Sequence, residues 1–403
     1  MGLLKSNLIT LAGGVSTPTG DPTLKLDLEF SSMTALPASV TFTRASVATY
    51  FDQNGVLQTA LANAARFDHD PVTLEPLGLL IEEARTNLCL QSGQIGSTTG
   101  GAWNTGGGLT IALNSIVAPD GTLTGTLETN TGASSYIRAV RPVSENADYT
   151  FSFWAKKGTS TGVGFAVYNM TGGVFVVPTT NYLALLNGDA WTRISVNFTT
   201  PPGCVSVGVY PDSNLGGGGT VYLWGAQLEG GANPTSYIAT TAAAATRAVE
   251  AASMTGANFS NWYNAPTGTF CIAARSTAKP ASGSTQYVFT FGADGTNFQN
   301  VNLYSEVVVY LGAYTVSAQP SITIGTIAAK ARFQAAFNYV EGDKRGSLNG
   351  AGVVSDAYTL GPATKLSFGA TQTGSVTGGL AVASLKYYNV AKSDAELIEL
   401  TTP

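Results

Sequence analysis

The chain carries a single histidine, His69, so Ser-His-Asp or Cys-His machinery would have to converge on that one ring. Asp68, Asp70 and Pro71 surround it, and short carboxylates beside a proline are turn residues whose oxygens accept backbone N–H bonds. A polar structural turn is the first reading of Asp68-His69-Asp70, and metal ligation by the three side chains is the alternative. Glu82 and Glu83 are the most conspicuous acidic pair, and paired carboxylates can hydrolyse glycosides. Adjacent residues in a strand point to opposite faces, however, so these two cannot flank one sugar bond by themselves. The glycine runs Gly106–Gly108 and Gly216–Gly219 lack the Lys-Ser/Thr of a phosphate loop and open no helix, so they read as loops. Cys89, Cys204 and Cys271 are odd in number and far apart, which reads as buried free thiols rather than a disulfide framework or a metal cluster. The expectation is a protein that is not an enzyme and has no catalytic residue and no cofactor, with a structural calcium ion the one inorganic group left open.

Aromatic residues are the better guide to binding, since sugar rings stack on exposed aromatic faces while amides and carboxylates take the hydroxyls. Trp154 falls on the polar side of DYTFSFWAKK, and Tyr210 opposes the valine row of CVSVGVYPD. If both belong to one concave sheet they form a sugar platform; the competing reading has that sheet covered by the N-terminal block or a neighbouring subunit. Trp103, in a Gly/Asn/Thr loop, is a third candidate for carbohydrate binding, whereas Trp191 and Trp224 read as core. Arg44 and Arg247 both occur as Thr-Arg-Ala, and their placement suggests inter-domain contacts to carboxylates or carbonyls rather than contacts to a ligand.

The elements that must position these residues are short strands. Before residue 100, LKLDLEF, SVTFTRASVATYF and LGLLIEE alternate with turn signals, among them Asn54-Gly55, a hairpin cue. Between Trp103 and Ile238 the strands come at the spacing of a two-sheet sandwich: Tyr149, Phe151, Phe153 and Ala155 share one face, as do Thr192, Ile194, Val196 and Phe198. Tyr222 to Leu228 is largely apolar or small on both rows, as in a strand covered on both sides, and the alanine-rich stretch after it reads as a tether. The strand pattern then resumes, with Asn349-Gly350 marking another hairpin and Ser393, Asp394 and Glu396 starting a short capped helix.

Composition narrows the partners. Only 11% of residues are charged and the net charge is −5, so the clustered Lys and Arg that neutralise phosphates are missing and no nucleic-acid partner is expected. Leu3 to Ala12 is interrupted by Asn7 and Thr10 and does not read as a secretory leader. No stretch approaches the ~18 apolar residues of a membrane span, so no membrane insertion is expected.

Three local patterns carry a family resemblance. FTRASVATYFDQNGVLQTA with ARFDHDPVTLEPLGLLIEEARTNL resembles a module of tailed-bacteriophage and prophage structural proteins. Trp103 to Arg247, with PDGT, YTFSFWAK, WTRIS and WGAQLEGGANPTSYIAT, is similar to the carbohydrate-binding-module type of jelly roll found in phage fibre proteins. Phe270 to Leu400, with FNYVEGDKRGSLNG, LSFGA and GGLAVASLKYYNVAKSDAELIEL, is similar to concanavalin A-like or laminin G-like lectin domains.

These resemblances imply an all-β virion protein built of tandem β-sandwich (jelly-roll) domains. The expected order is an irregular N-terminal arm at 1–23 for attachment to other virion proteins, a phage β module at 24–100 packing on the next domain, a jelly roll at 101–239, a linker at 240–253 and a lectin-like sandwich with a small terminal helix at 254–403. The implied role is a tail fibre, spike or tail-tip component, homotrimeric, made in the bacterial cytoplasm and binding host cell-surface polysaccharide without catalysis. The alternative is a head-decoration, head-fibre, baseplate or collar protein with no specific glycan ligand.

Overall fold

The computed structural model describes residues 20–131, 135–213, 215, 217–278, 285–304, 308–314, 321–357, 361–376 and 378–403. Nearly all of the expected N-terminal arm lies outside the described residues. The chain is all-β with a small C-terminal helix, Asp394–Thr401, and its described strands pair antiparallel in sandwich-like sheets. It divides into two compact units: residues 1–55, 60–83 and 248–403 form one, and residues 56–59 and 84–247 the other.

The first unit is a large sandwich. One sheet runs through Lys344 and Phe337 to the long strands Thr267–Ala278 and Gly379–Tyr388, and then takes in Pro76–Glu82. Leu24–Leu28 also pairs with Gly379–Tyr388. The opposing seven-stranded sheet includes Ala251–Thr255, Lys365–Phe368, Thr285–Asp294 and Asn297–Tyr304. Phe270 and Phe337 from the first sheet meet Phe289 and Phe291 from the second, with Phe270 and Phe291 centroids 4.7 Å apart. Burial of such rings is the main favourable term in holding the layers together.

The chain order of this unit differs from a serial reading. Residues 24–55 and 60–83 do not stand as a module of their own with 84–100; they complete the sheets formed by the last 150 or so residues. The apolar run LGLLI marks a strand covered on both faces, but nothing local in it says that its partner lies 300 positions onward. The alanine-rich stretch is likewise not a bare tether. Ala245–Arg247 pairs with Arg85–Asn87 in the second unit, and Ala251–Thr255 is a strand of the first.

Where the chain leaves and re-enters the first unit, a buried ion network closes it. Glu250 accepts from Arg44 Nη1 at 2.7 Å and from Arg66 Nε at 2.9 Å, while Arg66 Nη2 also reaches Glu82 at 2.8 Å. Backbone bonds run alongside: the Glu82 N–H donates to the Glu250 carboxylate at 2.8 Å, and the Glu250 N–H to the Glu82 carbonyl at 3.1 Å. All four side chains are buried.

The second unit is a sandwich of two five-stranded sheets. In the first, Asp148–Lys157 and Gly219–Gly230 lie at the centre, flanked by Thr192–Thr199, Gly125–Asn130 and Leu109–Ile116. In the second, Ser206–Ser213 is central, between Tyr136–Pro142 and Gly164–Asn169, with Asn104–Gly106 and Val174–Asn181 at the edges. Phe151, Phe153, Ile194, Val207, Val209 and Leu223 fill the space between.

Local turn chemistry is realised where it was legible. Asn349 and Gly350 have φ of 49° and 74°, the left-handed pair of a type I′ turn, between the paired strands Asp343–Leu348 and Val354–Asp356. The Ser393 hydroxyl and the Glu396 carboxylate form the reciprocal capping box of the terminal helix.

Two stability predictions follow from this packing. Glu250→Ala leaves two buried guanidinium groups short of their shared carboxylate, and the first unit should lose about 3–5 kcal/mol in chemical denaturation. Trp154→Ala empties a buried site in the second unit and should cost about 3–5 kcal/mol there; an unchanged denaturation midpoint would place that ring outside the core.

Candidate functional site

Trp154 and Tyr210, expected to share one platform, stand on different sheets of the second unit. Trp154 is only 3% exposed. Its ring lies 5.5 Å from Trp224 and 5.6 Å from Tyr237, and the Arg193 guanidinium covers it at 4.5 Å. Arg193 is held in turn by the Thr235 carbonyl at 2.8 Å and the Ser152 hydroxyl at 3.0 Å. The return segment after Gly230 therefore covers this sheet. Gly225, at φ +68°, has no side chain because a Cβ would stand 2.6 Å from the Trp154 ring. Alternation along the strand placed Trp154 correctly on the face opposite Phe153; it could not show that the chain's own continuation seals that face.

Trp103 is also buried, 1% exposed, and its indole N–H donates to the Leu90 carbonyl at 3.1 Å. It packs in the sandwich core and offers no face to a ligand. Trp224 is buried, as read from the sequence.

The two arginines are structural in placement. Arg44, beyond its ion pair with Glu250, donates to the Ser46 carbonyl at 2.8 Å and the Leu61 carbonyl at 2.7 Å, all inside the first unit. Arg247, in the second unit, donates to the hydroxyls of Thr235 and Ser236, each at 3.0 Å. Both are fully buried.

Asp68 and His69 do not lie in the turn that their neighbours suggested: they end the short strand Phe67–His69, paired with Pro76–Glu82, and the turn begins at Asp70. Asp68 accepts the Phe51 N–H at 2.8 Å, the His69 Nδ1 lies 3.2 Å from the Phe51 carbonyl, and Asp70 accepts the N–H groups of Val72 and Thr73. Burial pushes the Asp68 carboxyl up to about 6. A shallow cleft of about 230 Å³ opens beside His69, lined by Met33, Tyr50, Asp52, Asn54 and Phe67 among others. Among the described residues no group of three or more His, Cys, Asp or Glu side chains is arranged to hold a metal.

Tyr210 leads to a different site. It is half-buried on the outer face of the second sheet, beside residues that sequence reading had not singled out. On the neighbouring strand Tyr136 and Arg138 alternate outward with the buried Ile137 and Ala139 between and beyond them. The Arg138 guanidinium lies 5.4 Å from the Tyr136 ring and 5.8 Å from the Tyr210 ring, which meet edge to face at 6.0 Å. Its Nη1 donates to the Tyr210 hydroxyl at 3.2 Å.

The floor is Gly208. A Cβ there would meet the Arg138 Cδ at 3.0 Å, the Met170 Sδ at 3.2 Å and the Tyr210 ring at 3.2 Å, so the missing side chain is what lets these three converge. Tyr168 stands opposite Gly208 on the next strand, packed edge to face against Phe175 at 5.0 Å, and Phe175 is 50% exposed.

Electrostatically this is an unmatched cation. Among the described residues Arg138 forms no ion pair, and its Nε is buried with no hydrogen-bond partner. A guanidinium flanked by two phenol rings and facing outward can take a carboxylate or adjacent hydroxyls in a bidentate grip, with the rings supplying flat apolar surface. The alternating YIRAV pattern was the available signal for this row, but its strand neighbours on the sheet are set only by the fold.

No family model matches the chain, and no curated protein matches it. Among solved structures the chain is similar to the Ruminococcus gnavus IT-sialidase CBM40 bound to alpha2,3 sialyllactose, at 15% identity and a TM-score of 0.32, over 36% of this chain and 88% of that one. It is also similar to the leech intramolecular trans-sialidase, at 16% identity and 0.31, over 36% of this chain and 24% of that one. A third is the binding domain of botulinum neurotoxin DC, at 9% identity and 0.31, over 38% and 39% of the two chains.

Proposed function

We propose that this protein recognises carbohydrate without altering it, through the outer face of the second unit's sheet where Tyr136, Arg138 and Tyr210 converge. The observation that carries the reading is the Arg138 guanidinium, set between two tyrosine rings with no carboxylate partner among the described residues. Aromatic rings stack on pyranose faces, and a planar guanidinium fixes the orientation of the ring's oxygens. Among the described residues the one histidine sits in the strand Phe67–His69 with its Nδ1 against the Phe51 carbonyl, and Glu82 is buried in an ion pair; both belong to the first unit and not to that face.

The setting we propose is the exterior of a tailed-phage particle, as a fibre, spike or tail-tip component that meets host surface polysaccharide. It is supported by the resemblance of Thr41–Leu88 and of the strand motifs between Trp103 and Arg247 to phage structural proteins. Attachment to other virion proteins through the N-terminal arm and trimeric assembly belong to the same proposal, since many weak sugar contacts acting together give useful avidity.

Arg138→Ala and Tyr210→Ala in the full chain should each weaken adsorption to host envelope polysaccharide roughly tenfold or more, with unchanged melting. Adsorption equal to the parent's in both variants overturns the assignment of this face. Antibody label on capsid faces of intact particles would instead support a head-decoration role and remove the tail-fibre setting.

A further inference from the structure

Inside the second unit two carboxylic acids face each other across the sandwich with no cation to balance them. Glu128 comes from the strand Gly125–Asn130 of one sheet and Asp212 from Ser206–Ser213 of the other. They are 1% and 2% exposed. Neither forms an ion pair with a lysine or arginine among the described residues. Both carboxylate oxygens of Glu128 are buried with no N–H or hydroxyl donor, and the group within hydrogen-bond reach is the Asp212 carboxyl. Two positions back on the same inward face, the Thr126 hydroxyl is also buried and unpartnered.

Other oxygens gather at this place. Asn130 continues the inward row of Thr126 and Glu128, and its side chain bonds to the Ser135 hydroxyl and to Asp212. A half-turn of that amide presents its oxygen in place of its nitrogen. Asp212 accepts the Gly164 N–H at 3.4 Å, a long bond. The Tyr182 ring lies close to both acids, its hydroxyl donating to the Pro211 carbonyl at 2.8 Å.

Burial, then a hydrogen bond to the Asp212 carboxyl and the charge of that group, push the Glu128 carboxyl well above the usual carboxylate range, and burial pushes Asp212 up as well although its bond to Glu128 works the other way. A proton shared between them is the smallest remedy, but one O–H···O bond leaves the remaining Glu128 oxygen and the Thr126 hydroxyl dry. A dication neutralises both charges and engages the whole oxygen set.

We propose that Glu128 and Asp212, with Asn130 and Ser135, hold one divalent cation of the hard, oxygen-seeking class, calcium being the best match to a flexible set of carboxylate, amide and hydroxyl oxygens. The ion ties the two sheets of the sandwich together at this end, where apolar side chains give way to polar ones. It is distinct from the Arg138 face and does not depend on the glycan reading.

The test uses the full chain freed of metal by chelation, with terbium(III) as a luminescent stand-in for calcium and Tyr182 as the nearby sensitiser. The expected result is saturable emission at one ion per chain, displaced by calcium. Calcium should also raise Tm by about 4 °C or more over the chelated protein. Glu128→Gln and Asp212→Asn should each lose both responses while Asp120→Asn, on an exposed turn, keeps them. Melting insensitive to chelator together with no saturable emission overturns the proposal and leaves the pair as acids sharing a proton. Retained terbium binding in a folded Glu128→Gln chain overturns it equally. If the variants fail to fold, the parent's emission and melting shift still decide.

Discussion

Everything in the first unit depends on one carboxylate being where two arginines need it. Glu250 sits 168 positions along the chain from Glu82, yet the two exchange backbone and side-chain bonds, and Arg66 reaches both. The chain leaves this unit after Glu83 and returns at Ala248, so this contact closes a very long excursion. The entropic cost of closing a loop grows only with the logarithm of its length, about 0.6 kcal/mol per doubling, and a compact insertion reduces it further. A buried ion network is poor as a source of net stability but strict about geometry, because any misplacement strands a charge without water. That strictness suits a junction where two distant stretches must meet in one register.

The second unit has its own closure. Arg85–Asn87 and Ala245–Arg247 pair where the chain enters and leaves it, and Arg247 is fixed by Thr235 and Ser236. The same return segment supplies Tyr237 to the aromatic cluster around Trp154. Covering one sheet in this way leaves the other sheet's outer face as the place where half-exposed rings collect. The contrast between Trp154 and Tyr210 is thus a contrast between two sheets: one is sealed by its own continuation, and the other keeps Tyr136, Arg138 and Phe175 at its surface.

Much was legible from local pattern. The strands Asp148–Lys157, Thr192–Thr199 and Gly219–Gly230 follow from alternation and from β-branched and aromatic content, and their inward rows are the ones that the pattern named. The turn at Asn349-Gly350 and the cap at Ser393 follow from residues whose preferred backbone angles and side-chain reach are intrinsic. Of Asp68-His69-Asp70 only Asp70 has the turn character that its residue type suggested, since Asp68 and His69 lie in a paired strand. The candidate binding face was only partly legible. Tyr210 was identified, while Arg138 and Tyr136 gain their meaning from lying one strand away, and Gly208 from being overlain by three side chains.

What the sequence by itself determined is therefore the class of the fold, the identity and inward faces of most strands, and the caps and turns, because these depend on interactions within a few residues. Only the tertiary structure decided which strands share a sheet, that residues 24–55 and 60–83 share a sandwich with residues 248–403, that Trp154 and Trp103 are sealed from solvent, and that Glu128 meets Asp212. Period-two alternation records that a face is covered, not by what, and the covering partner here is commonly more than a hundred positions away.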